Sequence, residues 1–205
     1  MDNIIIRPVS AADFEAVVTA YWRQWGEADQ EPIEFSRLYA ATLFEKITFG
    51  FVAYRDETFL GVAVGHREGE PGLPLGDDWV SAASQRIALG VSESNILVML
   101  DEVDDILRRR ARAAGHVFTT ELDFLWVAPE ARGLKLSKRL LTAVDKALVE
   151  KGVSDFALFT DNYCDYRFYQ RAPWAYLGEE PWPVTEGYAP DSRCLMFARR
   201  TGLPY

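Results

Sequence analysis

The chain has 205 residues, 49% of them apolar and 26% charged, which suits a single domain spanning residues 1–205. Its apolar runs are too short to cross a bilayer, and a net charge of −9 with no basic arm argues against broad nucleic-acid binding. Two cysteines, Cys164 and Cys194, form neither a disulfide framework nor a cysteine metal cluster, and Met1–Pro8 lacks the apolar core of a secretion signal. A protein of the reducing cytoplasm, without metal, nucleic acid or membrane partner, is the expectation.

Residues 4–7 read as a short strand. Asp13 is placed to start a helix with Phe14, Val17, Val18, Tyr21 and Trp25 on one face. A second helix is predicted from Phe35 to Lys46, then a hairpin of Phe49–Tyr54 and Thr58–His66 around Arg55-Asp56-Glu57. Residues 67–79, with Gly69, Gly72, Gly76, Pro71 and Pro74, read as a loop. A long helix follows, carrying the apolar stripe Ile96, Met99, Leu100, Val103, Ile106, Leu107, Ala111 and Ala114, and Gly115 ends it. Next come a strand at 121–127, a helix at 134–151 stopped by Gly152, and a strand at Phe156–Thr160. Tyr166–Arg171 reads as a short helix, and Tyr176–Gly178 and Arg193–Arg199 as closing strands. The fold class is therefore mixed α/β, with a right-handed parallel crossover at 121–160 and antiparallel strands elsewhere.

The strand–turn–helix at 121–141 carries the chemistry. Its turn and first helical turn hold Arg132, Lys135, Lys138 and Arg139. Cations are unfavourable at a helix N-terminus, where the macrodipole is positive. Their clustering there fits an anion such as a phosphate, held by free backbone N–H groups with Lys and Arg. Strict alternation would put Glu121, Asp123, Leu125 and Val127 on one face of the strand and Leu122, Phe124 and Trp126 on the other.

Val127-Ala128-Pro129-Glu130 followed by Arg132-Gly133-Leu134-Lys135-Leu136-Ser137 resembles the central motif of the GNAT superfamily of acyl-CoA-dependent N-acetyltransferases. A second stretch resembles that family's other signature, with Asn162 and Phe168-Tyr169 in register, Asp165 in place of an alanine and Pro173-Trp174 in place of Gly-Phe. The resemblance covers nearly the whole chain. It implies a central mixed sheet of about six to seven strands flanked by helices, with residues 67–116 as a loop plus helical insertion between the third and fourth strands. It also implies acetyl-CoA as co-substrate. The backbone of Gly133, Leu134, Leu136, Ser137 and their neighbours would hold the pyrophosphate, with charge from Arg132, Lys135 and Lys138. Leu125, Trp126 and Val127 would hydrogen-bond the pantetheine arm, and Asn162 would contact it. Lys135 and Ser137 stand where the family usually has Gly and Gly or Ala.

The resemblance makes Tyr169 the acid that protonates the departing thiolate, and a phenol near ~10 is a fair match for a thiol near ~8.5. The attacking amine must lose a proton, and Glu121 or Asp123 is expected to accept it. The acceptor would be a small-molecule amine, favoured by the acidic composition, or a peptide or protein amine. A non-catalytic acyl-CoA-binding or regulatory module on the same fold is the alternative, motivated by the altered glycine positions. The charges of the 94–114 helix, including the i,i+4 pairs Asp104–Arg108 and Asp105–Arg109, are read as a solvated face. That helix could also cover the acceptor site or make a homodimer contact. His66 and His116 have no partner spacing, Cys164 has no histidine after it, and Trp22 and Trp25 are read as core residues near the acceptor pocket.

Overall fold

The computed structural model describes residues 3–27, 32–73, 91–113, 115–171, 173–182 and 191–205, with side chains from Glu102 onward in the helix that begins at Val91. Strands β1 (Ile4–Pro8), β2 (Phe49–Arg55), β3 (Thr58–Arg67), β4 (Thr120–Val127), β5 (Asp155–Asp161), β6 (Ala175–Pro181) and β7 (Arg193–Arg200) form one sheet in the order β1-β2-β3-β4-β5-β7-β6. Every neighbouring pair is antiparallel except β4–β5. Four helices complete the described fold: α1 (Phe14–Tyr21), α2 (Ile33–Lys46), α3 (Val91–Ala113) and α4 (Leu136–Glu150). The mixed α/β architecture read from the sequence is the observed one, including the helix inserted between β3 and β4. Among the described residues, no helix is long and apolar enough to cross a membrane.

The local reasons are mostly those of the sequence. Gly115 and Gly152 take φ of 83° and 72°, the left-handed conformation that closes a helix. Leu136, Leu140, Val144 and Leu148 recur at helical spacing and are buried, so they seat α4 on the sheet. Val103, Leu107 and Ala111 do the same for α3, while the side chains of Ile96, Met99 and Leu100 and the whole of Ala114 lie outside the described part of the chain, as do Pro74 and Gly76 of the loop. One expected helix is absent. Tyr166–Arg171 forms only a 3-10 turn at Tyr166–Phe168. Tyr166, Phe168 and Tyr169 all turn into the core, and spacings of two and one residue do not lie on one α-helical stripe.

The helices divide between the two faces of the sheet. On one face Tyr21 of α1 stacks on Phe124 with ring centroids 4.2 Å apart, Lys46 of α2 meets Asp123 at 2.8 Å, and α3 packs over Ala157, Cys194 and Met196. On the other face lies α4, close enough that a β-carbon on Gly61 would meet the Leu140 methyl at 3.3 Å.

The alternation expected for β4 does not hold. Val64 pairs with Phe124 and Gly65 with Leu122, so Asp123 is an extra residue, a β-bulge. Paired residues share a face, and His66 pairs with Glu121 while Val62 pairs with Trp126. Glu121 therefore lies on the face of Phe124 and Trp126, not on that of Leu125 and Val127. Gly65 is required here, because a β-carbon at that position would lie 2.1 Å from the Glu121 carbonyl oxygen.

The parallel pairing of β4 with β5 is short, extending only over Glu121–Ala157 and Leu122–Leu158. Beyond the bulge the two strands part. The backbone of Leu125, Trp126 and Val127 keeps β3 on one side and has no strand on the other among the described residues. The result is a V-shaped gap in the sheet whose vertex is at Leu122 and Asp123.

Candidate active site

The vertex is lined by a buried polar cluster. Asp123 takes the Lys46 ammonium at 2.8 Å on one oxygen and the His66 ring at 2.8 Å, through Nδ1, on the other. Glu121, opposite His66 across the β3–β4 pair, accepts a bond from Arg108 of α3 at 3.1 Å. Arg108 also meets Glu68. Donor atoms of His66, Glu121 and Asp123 lie within 4.8 Å of one another, and Lys46 and Arg108 already bring positive charge to this group. A cavity of about 20 Å³, room for about one water, adjoins His66, Glu121 and Arg108 and is closed by Ala157, Phe159 and Met196.

The two carboxylates are electrostatically unlike. Burial, reinforced by Asp123 and Asp104, raises the Glu121 carboxyl well above the usual range against the pull of Lys46 and Arg108. Burial acts the same way on Asp123, but the His66 hydrogen bond and Lys46 outweigh it and hold that carboxyl low. Asp123 is thus a fixed anion and Glu121 the more basic oxygen pair. The α3 helix is not simply a solvated face: Arg108 turns inward to Glu121, and Asp104 bears on the same group.

The aromatic wall beside this cluster comes from α1 and the turn after it. Tyr21 stacks between Phe124 and Tyr39, and Trp25 lies 5.6 Å from Phe124. Trp25 is exposed, not core, because α1 loosens into a π-helical turn at Trp22–Gly26. From that turn Arg23 lies over Trp126 and binds Glu130 through both oxygens at 3.0 Å, fastening the loop that follows β4.

The basic turn keeps the shape that glycine would give it. Gly133 has φ of 85°, and Lys135 sits in the left-handed region at φ 54°, ψ 31°. Lys135 provides no side-chain cap, so the first N–H groups of α4 are left for another acceptor. Arg132 and Lys135 are exposed and have no side-chain partner among the described residues. The other two cations of the cluster are engaged elsewhere. Lys138 meets the Tyr205 carbonyl, and Arg139 donates to the Ile4 carbonyl at 3.2 Å.

Tyr169 stands on the opposite face from Glu121, its ring 5.1 Å from Trp174 and 5.7 Å from Phe197. Burial, then Cys164, raises its phenol, so it stays protonated and able to donate. Asn162 spends both ends of its amide on the chain that opens β7, accepting from Arg193 N–H at 2.7 Å and donating to the Asp191 carbonyl at 3.2 Å. The Cys164 thiol is pushed up to about 12 by burial and by Asp161, which leaves it a poor nucleophile. In the sequence His66 has no partner and Lys46 no role, because their signal is long-range: each reaches Asp123 from a different strand or helix.

The family model for the acetyltransferase (GNAT) family matches residues 14–172. A comparison with curated protein sequences finds no match. Among solved structures, 97% of the chain aligns with all of the polyamine N-acetyltransferase of Drosophila melanogaster at 14% identity and a TM-score of 0.63. The C-terminal condensation domain of Ebony, in complex with beta-alanyl-dopamine, aligns over its whole length with 98% of the chain at 10% identity and a TM-score of 0.69. The PaiA N-acetyltransferase of Thermoplasma acidophilum, in complex with coenzyme A, aligns over 99% of its length with 97% of the chain at 15% identity and a TM-score of 0.53. These likenesses establish a shared fold, and the family match over residues 14–172 places the chain in the GNAT acetyltransferase family.

Proposed function

We propose that the protein transfers an acetyl group from acetyl-CoA to a small-molecule amine by direct attack. The observation that carries this reading is the gap between β4 and β5, with carboxylates at its vertex and the phenol of Tyr169 on the opposite face of the sheet. A thioester reaching the vertex from the basic turn would meet the amine on the Glu121 face and shed its thiol toward Tyr169. The residues fit such a substrate. Uncapped N–H groups of α4 suit a pyrophosphate, with Arg132 and Lys135 adding charge, while the unpaired edge at Leu125–Val127 suits an amide-bearing arm. Glu121 and Asp123 form the end of the site that draws in an ammonium and disposes of its proton. Small amines are the acceptor class, in line with the polyamine N-acetyltransferase that shares the fold.

Calorimetry with acetyl-CoA, paired with thiol release against agmatine, spermidine, aromatic amines and a peptide amine, tests the reading. Amine-dependent release is expected, and Glu121→Gln should lower kcat/KM by about 10²-fold with acetyl-CoA affinity unchanged. Tyr169→Phe should lower kcat alone. Tight acetyl-CoA binding with no release on any amine would make the chain a non-catalytic acyl-CoA-binding module.

A further inference from the structure

We propose that the group accepting the amine's proton is His66, held in place by Asp123, so that the site works through a carboxylate–imidazole pair and not through a carboxylate alone. This deepens the acetyltransferase reading and rests on it. The geometry fixes the tautomer. Asp123 is ionised and accepts from Lys46 on one oxygen, so the other oxygen, 2.8 Å from His66 Nδ1, accepts as well. Nδ1 must then carry the hydrogen, which leaves the lone pair of neutral imidazole on Nε2. Nε2 has no partner among the described residues. The ring lines the small cavity it shares with Glu121, at the point where the sheet opens.

The charged groups around the ring come from α2, α3, β4 and the turn after β3, while α1 adds the neutral phenol of Tyr21. They are Lys46 from α2, Glu68 from the turn after β3, Glu121 and Asp123 from β4, and Asp104 and Arg108 from α3. Glu121 is bound by Arg108, which suits it to hold an incoming ammonium while the imidazole beside it takes the proton. The step balances as follows. The ammonium gives one proton to His66 Nε2 and becomes a neutral amine. Its lone pair forms the C–N bond, the C–S bond breaks, and the thiolate is protonated by Tyr169. The second nitrogen proton restores the phenol, and the proton on His66 leaves to solvent, the one net proton of the reaction.

His66→Asn separates this role from a structural one, because the asparagine amide can occupy the place of Nδ1–H and keep the bond to Asp123. Turnover of the best amine is expected to fall about 10²–10⁴-fold in kcat/KM. Acetyl-CoA affinity and thermal midpoint should stay near wild type, and the rising limb of the pH–rate profile should be lost. An active His66→Asn protein overturns the pair while leaving the acetyltransferase reading intact. A wild-type protein that binds acetyl-CoA but acetylates nothing overturns both. A measurement on the wild type alone guards against a variant that does not fold. The chain has only two histidines, so long-range ¹⁵N NMR resolves both rings. The Nδ1–H tautomer is expected at His66, and finding Nε2–H there overturns the proposal.

Discussion

Asp13 shows how one carboxylate can tie the start of the chain to the sheet. Its side chain is 1% exposed and accepts from both ends of the Arg7 guanidinium at 2.8 and 2.6 Å, from Ser10 N–H at 2.9 Å and from the Tyr54 hydroxyl at 3.0 Å. It does not cap α1, the role its position suggested, because these four donors turn it toward β1 and β2. Burial alone would raise this carboxyl, but the Arg7, Ser10 and Tyr54 bonds together hold it below its ordinary value. A folded value below the unfolded one means that the stability Asp13 contributes is complete above about pH 4. It is lost as the pH falls through the folded value. Asp13→Ala should therefore cost about 2–3 kcal/mol at pH 7, less than a fully buried pair because Arg7 remains partly solvated. The difference from wild type should shrink below about pH 3. Urea unfolding at the two pH values checks it, and an equal loss at both would assign the effect to packing.

At the scale of elements, the turn from Arg132 to Lys135 and the bulge at Asp123 differ in how far the sequence announced them. Gly133 and the misplaced cations marked the turn, and the left-handed Lys135 shows that the backbone path survives without the second glycine. A non-glycine residue in that conformation costs about 1–2 kcal/mol, partly offset by the greater unfolded-state freedom of glycine. Lys135→Gly should thus stabilise the fold by about 0.5–1 kcal/mol in urea unfolding. With the backbone shape unchanged, acetyl-CoA affinity then reports the lost charge and should fall by about threefold to tenfold. Unchanged affinity would mean that the backbone N–H groups act alone. The bulge had no comparable mark. Alternation counts residues along one strand, whereas a bulge is a relation between two, and a single extra residue moves Glu121 to the other face. The same limit hid His66, whose bond to Asp123 spans 57 positions. Strand and helix order was legible because period and punctuation are local. The vertex was only half legible: its carboxylates were visible, but the imidazole and ammonium that distinguish them arrive through tertiary packing.

For the whole molecule, the proposed reaction would have the net charge of −9 and the local cations act on its two substrates in opposite senses. Acetyl-CoA, an anion approaching an acidic body, would then depend on Arg132 and Lys135 at close range. An ammonium is drawn by the body as a whole and then by the carboxylates at the vertex. Long-range attraction is screened by salt, with a Debye length of about 30 Å at 0.01 M and about 10 Å at 0.1 M. Contacts inside the buried cluster are screened far less. Raising ionic strength across that range should therefore raise KM for a dicationic amine several-fold. For a monocationic amine of similar size the rise should be smaller, because the steering energy scales with the charge carried. The value of kcat should hold nearly constant for both, since the groups proposed to act in the chemical step lie within short, desolvated contacts. Steady-state kinetics with the two amines in parallel makes the comparison. Equal salt dependence would remove the acidic surface from acceptor selection and leave it to the aromatic wall of Tyr21, Trp25 and Phe124.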